Sequence, residues 1–144
     1  MNRILVIGYG NTLRGDDGAG VYAAEEIGKR FPAVTALPVH QLTPELAEFI
    51  SQAEIVIFID AQIGIREVTQ HVIGLNHETD QPRTHFFSPE TLVQLSQQLY
   101  QRTPLRTVCF GIPAQDFSFS EKLTPQTQEH LQACINMIEM IIAA

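Results

Sequence analysis

The sequence predicts a three-layer α/β/α fold built on a five-stranded, mostly parallel sheet with one antiparallel strand. Three observations carry this. Short apolar runs alternate with amphipathic stretches in a β-α-β-α order. Residues 55–61 (IVIFIDA) are apolar at nearly every position, as suits a central parallel strand covered by helices on both faces. Only residues 62–67 separate that strand from the next one. That is too short for a parallel crossover, so the fourth strand runs antiparallel. All of it is read as a single domain over residues 1–144, a length that builds one core and not two.

In chain order, residues 3–9 (RILVIGY) form a buried strand ending in a glycine turn. Residues 19–30 form a helix, with Lys29 and Arg30 at its end, where the helix dipole favours cations. Residues 34–39 form a second strand, placed near an edge because Pro38 lacks a ladder N–H. Thr43, Pro44 and Glu45 open a second helix, with Thr43 as N-cap and Pro44 in its first position. The third strand is 55–61 and the fourth 68–75. Ser88, Pro89 and Glu90 cap a third helix that runs to about Arg102. Residues 106–113 (RTVCFGIP) form the fifth strand, and Thr124-Pro125 caps a long terminal helix. Residues 115–122 carry Phe117 and Phe119 at alternate positions and read as a short hairpin, or else as a partner-contact loop. The antiparallel fourth strand ends at the bottom of the sheet, where the fifth must begin. The third helix therefore descends, and residues 76–87 climb back and deliver His85 to the top edge, with ample reach at ~3.3 Å per residue.

Composition excludes several function classes. A net charge of −7 and a pI near 5.1 repel phosphate backbones and anionic lipid, against a nucleic-acid or membrane-surface binder. Hydrophobic residues at 44% with 17% charged argue against disorder. No apolar run approaches the ~20 residues of a membrane span. The start, MNRILVIGYGN, lacks the length and cleavage site of a secretory signal, so a cytoplasmic protein is expected. The two cysteines, Cys109 and Cys134, form no CxxC pair and suggest neither a disulfide framework nor a zinc–thiolate site. Both are expected in the core.

Ligand sites in open α/β sheets lie beyond the carboxyl ends of the strands. Three polar features converge there. The loop after the first strand, residues 8–20 (GYGNTLRGDDGAG), holds five glycines and the adjacent pair Asp16 and Asp17. It departs from the dinucleotide pattern G-x-G-x-x-G, because position 13 is Leu, and it lacks a phosphate-loop lysine. Two acids beside glycine turns suit a cation better than a phosphate. Their ordinary alternative is a helix N-cap by one of the pair. Asp60 ends an apolar run where an unpartnered charge is costly; its alternative is an Asx-turn. His85, between Thr84 and Phe86, is equally readable as a packed loop residue. Two carboxylates and an imidazole suit nickel, manganese, iron or zinc better than Cu(I), and three ligands leave positions open for substrate. Against it stands the positive end of the third helix beside His85. His40, His71, His77 and His130 lack an acid or thiol at a useful spacing. No G-x-S-x-G elbow supports a serine hydrolase.

The glycine motif of residues 3–20, the I-D-A of residues 59–61 and the T-H-x-x-S-P of residues 84–89 resemble the hydrogenase maturation endopeptidases. The likeness extends to G-I-P at 111–113 and L-T-P at 123–125. It implies a cytoplasmic hydrolase of the aspartyl-type endopeptidases, a monomer, that removes the C-terminal extension of a nickel–iron hydrogenase large-subunit precursor after nickel insertion. It implies further that the nickel, supplied by the precursor, is recognised by Asp17, Asp60 and His85, the catalytic and metal residues on this reading. Some relatives place the histidine after the S-P, where this chain has Glu90. Two other readings compete: a non-enzymatic nickel metallochaperone or partner-binding module, and a nucleotide-binding domain, which the Asp16-Asp17 pair opposes.

Overall fold

At the centre of the sheet lies β3 (Ile55–Ile63), flanked by β1 (Ile4–Tyr9) and β5 (Arg106–Ala114), both parallel to it. The structure, a computed structural model, describes residues 3–74 and 87–144. The predicted ligand His85 falls outside the described residues, as does the end of the predicted fourth strand. The sheet order is β2-β1-β3-β5-β4, with β2 (Thr35–Val39) at one edge and β4 (Thr69–Val72) at the other. Pro38 thus sits at an edge, where its missing N–H costs no ladder bond. Strand β4 pairs antiparallel with β5, as the short connection after β3 requires.

Helices α1 (Ala19–Arg30) and α4 (Pro125–Ala143) cover one face. Ala23, Ile27, Leu131, Ile135 and Ile138 pack there on Val6, Ile57, Ile59 and Phe110. Helices α2 (Leu46–Gln52) and α3 (Pro89–Tyr100) cover the other, where Leu46, Ile50, Leu92 and Val93 pack on Leu5, Ile7, Val56 and Phe58. Alternation along each strand divides its side chains between these two cores. Close contact between α1 and the sheet depends on Gly20, where a Cβ would strike the carbonyl oxygens of Ile59 and Tyr9.

Two boundaries follow the expected caps. Ser88 accepts from the Thr91 N–H and Thr91 returns the bond to the Ser88 N–H, a reciprocal capping box. Thr124 accepts from the Thr127 N–H, with Pro125 in the first position of α4. Two expectations need correction. Helix α2 begins at Leu46, not within Thr43-Pro44-Glu45, and has no side-chain N-cap. The N–H groups of Leu46, Ala47 and Glu48 instead bond the carbonyls three residues back, at 3.1, 3.0 and 3.3 Å, a tight turn that takes up the predicted first positions.

The second correction concerns residues 115–122, which make no hairpin. Ser120 pairs with Arg14 of the glycine loop instead. The Gly15 N–H donates to the Ser120 carbonyl at 2.7 Å, the Ser120 N–H to the Leu13 carbonyl at 3.0 Å and the Asp16 N–H to the Asp116 carbonyl at 2.9 Å. The donors and acceptors a hairpin would use within itself are spent on clasping the loop after β1. That loop ends in a single 3-10 turn, Gly15–Gly18, leading directly into α1.

Candidate functional site

Register places the site. Gly8 lies opposite Ile59 in the β1–β3 ladder, so Tyr9 and Asp60 follow side by side at the carboxyl ends of adjacent strands. Both continue the alternation of Leu5 and Ile7, and of Val56 and Phe58, onto the α2/α3 face. Asp60 is the first position of this stripe in β3 to bear a charge. Its carboxyl is pushed up to about 6, chiefly because burial penalises the charge and then because Asp17 is near; hydrogen bonds from the Ala61 N–H and the Tyr9 hydroxyl oppose the shift. The Tyr9 phenol is raised far above its ordinary range, by burial first and then by the charge of Asp60.

The structure separates the two acids of the glycine loop. Asp16 is fully buried. Its carboxylate accepts from the N–H groups of Gln115 (2.9 Å), Asp116 (3.1 Å) and Thr124 (2.7 Å) and from the Thr124 hydroxyl (2.9 Å). Burial alone would raise its pKa, but these donors, with the Thr127 hydroxyl, hold it below the ordinary value. It is therefore a structural acid. Asp17 faces the other way. One of its oxygens accepts the Asn11 N–H at 2.9 Å, and its side chain lines a cavity of about 490 Å³ together with Asp60. Gly10 permits this turn: its φ is +146°, and a Cβ there would strike the Asp17 carbonyl oxygen.

The cavity is walled by Tyr9, Gly10, His40, Gln41 and Phe87, with Thr43 and Pro44 at its α2 side. Phe87 lies one residue before the α3 cap, so the start of α3 is at the carboxyl edge, as the direction of β4 requires. A second cavity of about 220 Å³ lies on the far side of Asp60, bounded by Gln62, His71, Pro89, Glu90 and Cys109. Sequence reasoning passed over His40, His71 and Tyr9. Topology holds the signal for one of them: His40 directly follows β2, whose carboxyl end shares this edge. Burial raises the thiols of Cys109 and Cys134 to about 12, with Glu90 and Asp60 adding to the shift at Cys109. Neither supplies a thiolate.

Of the three predicted site residues, the structure thus brings Asp17 and Asp60 together. Among the described residues no three His, Cys, Asp or Glu side chains gather at metal-binding geometry. Among the described residues, no Lys or Arg lines the larger cavity. Burial and the nearby charge of Asp17 both disfavour the ionised form of Asp60, and this has a measurable sign. The pKa of Asp60 is higher folded than unfolded, so the folded state loses stability as pH rises from about 4 through about 6. Asp60→Asn is expected to stabilise the protein by about 1–3 kcal/mol at pH 8 and to leave it unchanged at pH 4. Urea denaturation at the two pH values checks this; equal effects would contradict it.

No protein-family profile matches the chain, and no curated protein matches it. Solved structures do. The nickel–iron hydrogenase maturation protease HycI from Thermococcus kodakarensis KOD1 superposes with a TM-score of 0.75 at 21% identity, covering 99% of this chain and 94% of its own. The corresponding HybD from Thermococcus kodakarensis gives 0.75 at 21% identity over 96% and 98%. The hydrogenase maturating endopeptidase HybD from E. coli gives 0.67 at 18% identity over 94% and 89%. The five-stranded mixed sheet and its helical layers give this chain the fold of the nickel–iron hydrogenase maturation proteases.

Proposed function

We propose that the protein is an endopeptidase that removes the C-terminal extension of a nickel–iron hydrogenase large-subunit precursor after nickel insertion. The observation that carries this is the pair Asp17 and Asp60, two carboxylates lining one cavity at the carboxyl edge of the sheet, with no Lys or Arg beside them among the described lining residues. Such a pair suits a cation arriving from outside. Fold likeness to the maturation proteases supports the same reading.

In this mechanism the nickel comes with the substrate. Asp17 and Asp60 grip it, with His85 as the third ligand, and the grip fixes the scissile peptide beside the site. Asp60, titrating near 6, is ionised above that pH and ready to bind. An ion so held would supply Lewis acidity toward a carbonyl or a water beside these residues. The buried thiols of Cys109 and Cys134, raised to about 12, supply no nucleophile to this step.

The test mixes the protein with nickel-loaded and nickel-free precursor and follows mass. Loss of a C-terminal peptide from the loaded form alone is the expected result. Nickel binding without any cleavage would replace this reading with a metallochaperone.

A further inference from the structure

Asn11 of the glycine loop has no part in the proposed grip on nickel, yet its contacts converge on Asp17. Its N–H donates to Asp17 Oδ2 at 2.9 Å. Its carbonyl accepts the Arg14 N–H at 3.0 Å, and the Arg14 carbonyl accepts the Asp17 N–H at 3.1 Å. Asp17 is thus bonded, through side chain and backbone alike, to one β-turn, residues 11–14. Asn11 Oδ1 accepts the Leu13 N–H at 2.9 Å and closes that turn from within, an Asx-turn. The chain is tethered on either side of it. The Gly10 N–H donates to the Val39 carbonyl at 3.2 Å, and residues 13, 15 and 16 are bonded to the segment 116–120. Between these anchors, residue 10 is a glycine at φ +146°, which leaves the next peptide free to turn. The bond from the Asn11 side chain restricts that freedom.

We propose that Asn11 is a positioning residue, whose side chain fixes the turn that aims its own N–H at Asp17 and so holds that carboxylate at the larger cavity beside Asp60. The N–H takes one of the about four lone-pair sites of a carboxylate, and a cation still finds room on the rest. Without Oδ1 the turn frays, and the Asp17 side chain is released to other rotamers, away from a second negative charge. With it, an incoming ion meets a preformed pair of acids and spends none of its binding energy on ordering them. The proposal rests on the endopeptidase reading for its consequence in catalysis, though not for the contact itself.

Asn11→Ala and Asn11→Ser test it together. The Leu13 N–H is exposed and turns to water when Oδ1 is lost, so the melting temperature should change little in either variant. In the free Ala variant, hydrogen exchange of the residue 11 amide, corrected for the intrinsic rate of each sequence, should quicken by about 3- to 10-fold, as the loss of one ordinary hydrogen bond allows. With nickel-loaded precursor, kcat/KM of the Ala variant should fall by about 10- to 100-fold, the usual cost of losing a partner that orients a metal ligand. The Ser hydroxyl accepts the same bond more weakly, so Asn11→Ser should recover part of both losses. Unchanged exchange in the Ala variant overturns the proposal. So does quickened exchange with undiminished kcat/KM, or a Ser variant no better than Ala. If the wild-type protein cleaves no precursor, the endopeptidase reading fails on its own, and exchange that quickens in Ala and is partly restored in Ser still supports the hold of Asn11 on Asp17.

Discussion

Replacing Asp60 with Ala is expected to abolish release of the C-terminal peptide from nickel-loaded precursor, a loss greater than the roughly hundredfold that removing an orienting partner costs. The fold should survive. Asp60 sits at the edge of the α2/α3 core, and its carboxylate repels Asp17 in the free protein, so removing it relieves strain as well as removing a ligand. Asp17→Ala should be as inactive, since the second carboxylate of the pair is lost. His85→Ala should match both; full activity in that variant would shift the third role to Glu90, which lines the cavity on the other side of Asp60. Mass spectrometry of the precursor after incubation reads all three. Retained processing by either Asp variant would sink the assignment of the acid pair.

Asp16→Ala is expected to be the most destabilising single substitution at this edge, by about 3 kcal/mol or more. The carboxylate is fully buried and satisfies three backbone N–H groups and one hydroxyl. Its removal leaves those donors facing a void, and each unsatisfied buried donor costs about 1–3 kcal/mol. Asp16→Asn keeps the size but turns an NH₂ group toward donors, so it should be destabilising too. The pH dependence has the opposite sign to that of Asp60. The folded pKa of Asp16 lies below its ordinary value of 3.8, so its contribution is present above that pH and fades as pH falls below about 4. Denaturation at pH 7 and pH 3 should show the Asn variant approaching wild type in acid. A variant as stable as wild type at pH 7 would contradict the structural role.

The pattern of the chain was most legible where a residue's role depends on its near neighbours. Capping signals at Ser88 and Thr124 name the starts of α3 and α4 because cap and first turn lie within four residues. The six residues after Ala61 reveal the direction of β4, since reach is a local matter. Asp60 is legible as a charge ending an apolar strand. The division of labour between Asp16 and Asp17 is not, because it depends on donors about a hundred residues downstream. The same long-range bonds explain why 115–122 is a clasp and not a hairpin. His40 and Tyr9 gain their place only once β1, β2 and β3 lie side by side. Spacing along the chain carries no trace of that.

The network around Asp16 has a consequence for synthesis. Strands β1 and β3 and helix α1 can assemble when less than half of the chain has left the ribosome, for their contacts lie within residues 4–63. The loop carrying Asp17 cannot then be locked, because the groups that anchor its neighbour belong to Gln115, Asp116 and Thr124. A nascent or truncated chain ending before Thr124 would hold a sheet without a set site. The placing of Asp17 beside Asp60 is thereby tied to near-completion of the polypeptide.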